Sequence, residues 1–400
     1  MKRISLRKTG VFGILSLTAL FTGTYVHAQI ATFKIEKYYN QVWLKAGLGN
    51  NTRDSLLFLF DSGAGTALLD SAVAAKLFPD KHYNQTSAMG ASGSASMKLL
   101  HNESIYFNQF KLDSVNFLVN DLSRLSATLG RKLDGIIGYN LIKKYVTRID
   151  LDAGTISIYK DIRDVKGSLG KPLTFGFSPE IPFLPRVKCS FTTVTGQTYT
   201  GYFFFDSGAG MTAMLNTPFV NANQLLTKAG KTLRLKSEGL TNSSDRYVAR
   251  VASFNFSGET FKDLPISMTQ TTTGVNAMGG EYAGLLGNEF LYRYNLTLDY
   301  THNAIYLQPN KYYADKFDFP LCGFALKTSN GRNYIATVSS ESPEYAQGLK
   351  EGDEIIKVNG KAGLAIADIR ELLKHEGQIT LRVKQNTGEK EFVVSLYPRV

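Results

Sequence analysis

The chain has 400 residues and a mass of 44.2 kDa, and because an ordinary domain has about 100–150 residues, this length predicts two or three domains. Apolar residues make up 43% and charged residues 20%, a balance that excludes a disordered chain, a collagen, a coiled coil and a multi-pass membrane protein. The net charge is +11, but charges of both signs alternate along the chain, so the composition predicts no nucleic-acid partner.

The first 28 residues have the construction of a secretory signal peptide. Four basic residues at positions 2, 3, 7 and 8 precede an apolar stretch over residues 11–21, and Val-His-Ala follows at residues 26–28. The stretch is shorter than the ~20 residues that span a bilayer, although a retained anchor is the alternative. We therefore expect cleavage after Ala28, no membrane span after signal removal, and a protein secreted across the inner membrane into the periplasm or the medium. Without this segment, 41 basic and 34 acidic residues leave a net charge of +7.

An internal repeat organises the chain from about residue 30 to residue 310. The pentapeptide Asp-Ser-Gly-Ala-Gly follows an apolar run at residues 61–65 and again, 145 residues later, at residues 206–210. A second matched pair follows, Gly-Ile-Ile-Gly at residues 135–138 and Gly-Leu-Leu-Gly at residues 284–287. Each of these leads to a two-strand pattern, over residues 146–159 and 295–307. Two homologous units of about 140 residues explain all three matched pairs.

The elements of both units are mostly strands. Alternating apolar residues predict strands over residues 42–46 and up to Asp61 in the first unit, and over residues 186–191 and 202–205 in the second. One helix is predicted over residues 71–78, with Asp70 as its N-cap and Pro79 after its end. Residues 167–185 are rich in Pro and Gly and are interpreted as the linker between the units.

The paired aspartates are the candidate catalytic residues. A single Asp at a turn usually caps backbone amides, but two copies in homologous halves bring Asp61 and Asp206 together if the halves are related by a pseudo-two-fold axis. Two carboxylates about 3 Å apart share one proton, so that one acts as acid and the other as base. Gly63 and Gly208 permit a close backbone approach to the carboxylates. The hydroxyls of Ser62 and Ser207 are suited to locking one half to the other.

With these motifs, the chain resembles the retropepsin-like aspartic proteases of clan AA, here with two lobes in one chain. The resemblance implies a mainly β, pepsin-like acid protease fold with lobes at residues 29–166 and 186–320. It also implies that the two aspartates activate a water that attacks the peptide carbonyl. Neither a metal nor an organic cofactor is implied, and the expected partner of a monomeric enzyme is a peptide or an unfolded protein. Family members carry mobile hairpins, called flaps, for which the candidates are Met89 and Gly90 in the first unit and Gly239 and Leu240 in the second.

The segment 321–400 has a different pattern. Gly-Leu-x-x-Gly-Asp-x-Ile-x-x-Val-Asn-Gly begins at Gly348, Ser342 and Pro343 open a short helix, and a second helix is predicted over residues 367–375. This arrangement resembles a bacterial PDZ domain, a β-sandwich with two helices that binds the C-terminus of a peptide or protein. The resemblance implies a peptide groove formed by Gly323, Phe324, Ala325, Leu326, Ile369 and Leu373. The chain's own end, Arg399 and Val400, is a hypothetical ligand for such a groove in a second molecule.

The residue inventory excludes several other chemistries. After the predicted cleavage site the chain has four scattered histidines, no Gly-x-Ser-x-Gly, no His-Glu-x-x-His and no phosphate-binding loop. Cys189 and Cys322 enter an oxidising compartment, and whether they pair is open. The sequence therefore predicts a secreted aspartic endopeptidase, and the alternative is a catalytically silent scaffold that binds peptides through a protease-like fold.

Overall fold

A computed structural model describes residues 29–240 and 242–400, so the predicted signal peptide lies outside the described residues. The first lobe has ten strands and three helices. The strands are β1 (Gln29–Tyr38), β2 (Gln41–Leu48), β3 (Asn51–Asp61), β4 (Ala67–Asp70), β5 (Asn84–Gly90), β6 (Gly93–Phe107), β7 (Phe110–Asn120), β8 (Gly135–Gly138), β9 (Val146–Asp150) and β10 (Thr155–Tyr159). The helices are α1 (Ser71–Leu77), α2 (Ser123–Leu129) and α3 (Tyr139–Ile142).

The second lobe has eleven strands and three helices. Its strands are β11 (Lys171–Thr174), β12 (Gly176–Ser178), β13 (Ile181–Thr193), β14 (Thr198–Phe205), β15 (Ala213–Leu215), β16 (Thr232–Glu238), β17 (Ser243–Phe256), β18 (Glu259–Thr269), β19 (Tyr282–Leu286), β20 (Tyr294–Asp299) and β21 (Ala304–Pro309). Its helices are α4 (Thr217–Ala222), α5 (Leu225–Lys228) and α6 (Asn288–Leu291). Two short 3₁₀ turns, Ile162–Asp164 and Val275–Ala277, complete the two lobes.

The two lobes have the same strand order. In the first, the order β2-β3-β8-β4-β7-β6-β5 places β3 parallel to β8 and β4 parallel to β7. In the second, the order β13-β14-β19-β15-β18-β17-β16 places β14 parallel to β19 and β15 parallel to β18. The internal repeat of the sequence is therefore a repeat of topology, with the same pairing partners in each lobe.

A sheet that both lobes share joins them. The hairpin β9–β10 of the first lobe lies beside the hairpin β20–β21 of the second, with Ile149 opposite Leu296 and Thr147 opposite Leu298. The buried side chains of the two lobes form one continuous hydrophobic cluster that includes Phe58, Phe60, Phe203 and Phe205. The two-strand patterns that end each repeat in the sequence thus meet in the structure and fix how the lobes face each other.

Local signals account for the ends of the elements. Helix α1 begins after Asp70, whose carboxylate accepts hydrogen bonds from the amides of Ala72 and Val73, and the predicted helix is confirmed. The segment 167–185, which the sequence analysis interprets as the linker, contains regular structure. It forms β11, β12 and the start of β13, because its backbone pairs with β21 and within the second lobe's own sheet.

The C-terminal domain has six strands and two helices. The strands are β22 (Phe324–Ser329), β23 (Arg332–Val338), β24 (Glu354–Val358), β25 (Lys361–Ala362), β26 (Gly377–Gln385) and β27 (Gly388–Leu396), and the helices are α7 (Pro343–Ala346) and α8 (Ile366–Leu372). Ser342 caps α7 by accepting a hydrogen bond from the Tyr345 amide. The domain has its own hydrophobic core, which is separate from the core of the two lobes, as is usual for an independent domain.

Both cysteines are buried and free, so Cys189 and Cys322 do not form the disulfide that the sequence left open. The position of the chain's end also differs from the hypothesis that Arg399 and Val400 bind the peptide groove of a second molecule. Arg399 is buried against Glu344 of its own domain, and Val400 packs on Leu233, Leu235 and Val248 of the second lobe. Among the described residues, none of the helices has the length and apolar character needed to cross a bilayer.

Candidate active site

The two aspartates stand where paired strands end. Asp61 is the last residue of β3 and lies opposite Gly138 of β8, and Asp206 follows β14, whose Phe205 lies opposite Leu286 of β19. The strand β8 approaches so closely that a Cβ at Gly138 falls 1.6 Å from the Asp61 carbonyl oxygen. Only glycine fits there, which explains why each Asp loop is matched by a Gly-apolar-apolar-Gly segment further along the chain.

The carboxyl groups of Asp61 and Asp206 meet across the seam between the lobes, since a Cβ at Gly63 would lie within 3.0 Å of an oxygen of each. The glycine of each loop lies against the aspartate of the other lobe. A Cβ at Gly208 would be 2.2 Å from Asp61 Cγ, and a Cβ at Gly63 would be 2.6 Å from Asp206 Oδ1. The predicted pair is therefore brought together, and both glycines are required by the closeness of this contact.

Backbone amides complete the cradle of each carboxylate. The Gly63 amide donates to Asp61 Oδ1 at 2.7 Å, and the Gly208 amide donates to Asp206 Oδ1 at 3.0 Å. The Ala209 amide donates to the same Asp206 oxygen at 3.3 Å. These amides orient the carboxyl groups before any substrate arrives, because each carboxyl has one oxygen held by its own loop.

The serine after each aspartate reaches into the opposite loop. The Ser62 amide donates to Ser207 Oγ at 2.9 Å, and the Ser207 amide donates to Ser62 Oγ at 3.0 Å. The Ser62 hydroxyl donates in turn to the carbonyl oxygen of Phe205 at 3.1 Å. Both serines are buried, so these bonds are shielded from water and hold the two aspartate loops in register.

Burial and proximity change the acidity of both carboxyls. The pKa of Asp61 is raised well above its usual value of 3.8, first by burial, then by the negative charge of Asp206 and by the hydrogen bond to it. Burial also raises the pKa of Asp206, but the hydrogen bond from Asp61 and the loop amides oppose this rise. Both shifts favour a state in which the two carboxyls share one proton and together carry one negative charge.

Several residues around the pair were not found from the sequence. Gln41 is buried and donates from Nε2 to the Gly208 carbonyl oxygen at 2.9 Å, and its position as a polar residue opening an apolar strand was a usable signal. The Phe183 ring lies against Gly65 and contacts Tyr139, which contacts Tyr300. The pKa of Tyr300 is raised by burial and by the charges of Tyr139 and the aspartates. No local sequence signal indicated Tyr300.

Both candidate flaps are hairpin tips, and each lies against the other lobe. The tip of β5–β6 contains Met89, which is 59% exposed, and Gly90. In the turn that follows, the Ala91 carbonyl accepts from the Asn276 amide and Ser92 Oγ bonds Ser244 Oγ. The tip of β16–β17 reaches the first lobe, where the Gly239 carbonyl accepts from Arg124 and Leu240 packs on the cluster around Trp43. Residue 241 of this tip lies outside the described residues.

The predicted PDZ groove residues do not all face one surface. Phe324, Leu326 and Ile369 are buried in the core of the C-terminal domain, and Leu373 packs against that core. The Gly323 carbonyl accepts from the Ser339 amide, and Ala325 lies on β22 as expected. On α8, Ile366 belongs to the same core and also lies against Gly130 of the first lobe, and Arg370 donates to the Leu129 carbonyl of that lobe. The sequence signal for Arg370 is a charged residue within the apolar pattern of α8.

A separate cavity of about 400 Å³ lies where the lobes meet α8. Its lining includes Lys37, Glu289, Arg293 and Lys374, so it is rich in charge of both signs. The pKa of Glu289 is raised to about 7, first by burial and then by the charge of Asp318. The aspartate pair does not line this cavity, which therefore belongs to the junction between domains.

Comparison with known proteins agrees with this geometry. Residues 48–141 match the aspartyl protease family, and residues 321–384 match the PDZ domain family. The first match is of the retropepsin-like type. The chain carries an aspartyl protease domain and a PDZ domain. The resemblance drawn from the sequence is confirmed, as is the mainly β fold class.

The aspartyl protease match covers strands β3, β4, β5, β6, β7 and β8 of the first lobe, and with them Asp61. The chain is also similar to serine protease HTRA1 of Xenopus laevis, with 32% identity over 66 residues, and of Xenopus tropicalis, with 35% identity over 66 residues. These alignments cover 16% of this chain, and the chain spans only 14% of the length of these curated relatives.

Proposed function

We propose that this protein is an aspartic endopeptidase in which Asp61 and Asp206 activate a water molecule to hydrolyse peptide bonds. The observation that carries the proposal is the closeness of the two carboxyls, with Gly63 and Gly208 each against the aspartate of the opposite lobe. Two acids in hydrogen-bond contact share a proton, which supplies an acid and a base at one place. The aspartyl protease family match over residues 48–141 supports the same chemistry.

The residues take the following roles in the proposed reaction. The ionised Asp206 accepts a proton from water as the water oxygen attacks the carbonyl carbon, and Asp61 gives its proton to the carbonyl oxygen. A tetrahedral diol results. The C–N bond then breaks, the leaving amine takes the proton held by Asp206, and one diol hydroxyl returns a proton to Asp61. The products are a carboxylic acid and an amine, and the pair regains its starting protonation.

The decisive experiment is the conversion of each aspartate to its uncharged isostere. We expect Asp61→Asn and Asp206→Asn each to reduce cleavage of a peptide library by about 10²–10⁴-fold, since each removes one half of the acid–base pair. Asp113→Asn is the matched control, because Asp113 is an exposed residue of the first lobe that pairs with Lys111. Circular dichroism checks that the variants fold. Retained cleavage in either variant contradicts the proposal.

The similarity to HTRA1 raises the alternative of a serine protease mechanism. Such a reaction needs a serine hydroxyl bonded to a histidine ring. Within residues 29–240 and 242–400, no serine hydroxyl bonds a histidine ring; the rings of His101, His302 and His375 are held by Asn84, Asp299 and Glu371. The second candidate is therefore a scaffold that binds peptides through its PDZ domain without catalysis, which the PDZ match favours. Absence of cleavage by the unmutated protein across a broad pH range decides for the scaffold.

We also propose that the protein acts outside the cytoplasm, as residues 1–28 indicate. A secreted endopeptidase encounters peptides and unfolded chains, which are the substrates that we propose for it. N-terminal sequencing of the protein from cell fractions tests this. A chain that begins at Gln29 in the periplasmic or extracellular fraction supports secretion, and a chain that keeps residue 1 in the cytoplasm contradicts it.

A further inference from the structure

The edge of the PDZ sheet is covered by the first lobe. Strand β22 ends the sheet order and pairs with β23 on its other side, so its outer edge is where a PDZ domain adds a peptide as an extra strand. Helix α8 runs beside this edge. Helix α2 of the first lobe packs against β22 in the same place. A segment of this chain therefore occupies the neighbourhood of the peptide groove.

Arg370 on α8 ties the three elements together. Its guanidinium donates to the carbonyl oxygens of Leu326 on β22 at 3.1 Å and of Leu129 at the end of α2 at 2.8 Å, and it also donates to the carbonyl of Thr128. The last carbonyls of a helix lack intrahelical partners and favour a cation. Arg370 is only 9% exposed, so this contact is shielded from solvent. One turn earlier on α8, Ile366 lies against Gly130, the C-cap of α2.

The same short helix holds the tip of the β16–β17 hairpin. Leu125 and Leu129 of α2 belong to the apolar cluster that receives Leu240. At the start of α2, Arg124 donates to the Gly239 carbonyl at 3.4 Å. Helix α2 thus lies between the PDZ domain and the hairpin tip, and a change in its position alters both contacts.

We propose that α2 is an intramolecular occupant of the PDZ groove, and that an extended peptide with a free C-terminal carboxylate displaces it and so releases the β16–β17 hairpin. A peptide strand on β22 needs the Leu326 carbonyl that Arg370 now holds, so the two occupants exclude each other. By linkage, a peptide that loosens α2 binds more tightly when α2 is already loose. The consequence for cleavage, faster hydrolysis when peptide is bound, rests on the proposed aspartic protease activity.

The first test measures peptide affinity in the Asp206→Asn background, so that no probe is consumed by cleavage. The probe is a fluorescein-labelled decapeptide that ends in valine with a free carboxylate, and its C-terminal amide is the probe control. We expect Arg370→Gln to tighten binding about tenfold, because it removes the contact that holds α2. Arg382→Gln is the matched control, since Arg382 lies on β26 and pairs with Glu391 on the far side of the domain. The proposal is overturned if Arg370→Gln and Arg382→Gln bind the labelled peptide with equal affinity, or if neither variant binds it.

The second test needs no change at Arg370 and does not depend on catalysis. Hydrogen exchange is measured on the Asp206→Asn protein with and without saturating peptide. We expect faster exchange in residues 123–130 and 232–250 when the peptide is bound, and unchanged exchange in β26 and β27. Bound peptide with unchanged exchange in α2 overturns the proposal. If the exchange changes but the active protein cleaves nothing, the displacement stands and the protease assignment fails, so the two failures are distinguishable.

Discussion

Ser62 and Ser207 exchange hydrogen bonds across the boundary between the lobes, each hydroxyl accepting the backbone amide of the other. The two residues are 145 positions apart, and both are buried. Because each bond joins one aspartate loop to the other, the spacing of the carboxyls is fixed by the backbone rather than by the carboxyls themselves. This arrangement resists the repulsion that two adjacent acids generate.

The serine contact predicts a specific loss of stability. Ser62→Ala removes the acceptor of the Ser207 amide and the donor to the Phe205 carbonyl, leaving buried backbone groups unpaired. We expect the free energy of unfolding to fall by about 1–3 kcal/mol, measured by urea denaturation. Ser87→Ala, on an exposed strand position, is the control and should change stability by less than about 0.5 kcal/mol. Equal effects of the two substitutions argue against the locking role.

The glycine contact predicts a loss of activity without general unfolding. In Gly208→Ala the new methyl group meets Asp61 Cγ at 2.2 Å, so the carboxyl pair must separate. We expect cleavage to fall at least about a hundredfold, because the shared proton is lost with the contact. Gly210→Ala is the control, since a Cβ there has no neighbour within 4 Å. Peptide cleavage assays on both variants decide the matter, and an active Gly208→Ala refutes the close contact.

The raised pKa of Asp61 predicts the direction of the pH dependence. A carboxyl whose pKa is raised on folding binds its proton more tightly in the folded state. Its stabilising contribution is therefore complete below its usual pKa of 3.8 and is lost as the pH rises through the raised folded value. Because the side chain of Asp61→Asn does not ionise, we expect its Tm to fall less than that of the unmutated protein as the pH is raised from about 4 to about 8. Parallel Tm curves for the two proteins contradict this.

Cleavage by the unmutated protein should decline over the same pH range. Asp61 must hold a proton to act as the acid, and it loses this proton as the pH rises through its pKa. A profile of kcat/KM against pH measures the decline. Rates that increase steadily into the alkaline range point to a different acid.

The contact between Gly274 and the β5–β6 hairpin predicts that this glycine sets the position of the hairpin tip. Gly274 has φ +80°, and a Cβ there falls 2.3 Å from the Gly93 amide at the tip of β5–β6. Gly274→Ala should therefore push this tip away and speed hydrogen exchange in residues 84–100. Gly280→Ala is a matched control, because Gly280 has φ +82° and no neighbour within 4 Å. Both substitutions place alanine at a positive φ, but only Gly274 has the contact. Faster exchange in Gly274→Ala alone supports the contact, and equal exchange in the two variants contradicts it.

Local patterns predicted the elements better than their connections. The capped helix α1, the two-strand motifs and the short helix at Ser342 followed from neighbouring residues, since caps and alternation act over a few positions. The Pro and Gly content of residues 167–185 predicts a linker, yet β11 within this segment pairs with β21. That pairing joins residues at least 130 positions apart, and no local pattern reports it.

The residues of the candidate site also fall into those that a local pattern predicts and those that it does not. Repetition of one pentapeptide identified both aspartates and the serines and glycines beside them. Gln41, Tyr300 and Arg370 were not predicted, because their partners are far away in the chain: the Gly208 carbonyl for Gln41, the ring of Tyr139 for Tyr300 and the end of α2 for Arg370. A polar residue in an apolar pattern was the available signal for Gln41 and Arg370.

The amino-acid sequence alone carries the local signals: two acids in matched loops, a segment after them that matches the PDZ domain family, and most of the strands and helices that hold both. The contact between β22 and α2, and the contact of each hairpin tip with the opposite lobe, are visible only in the folded protein. Propensities and caps depend on near neighbours, whereas domain docking depends on surfaces assembled from residues far apart in the chain.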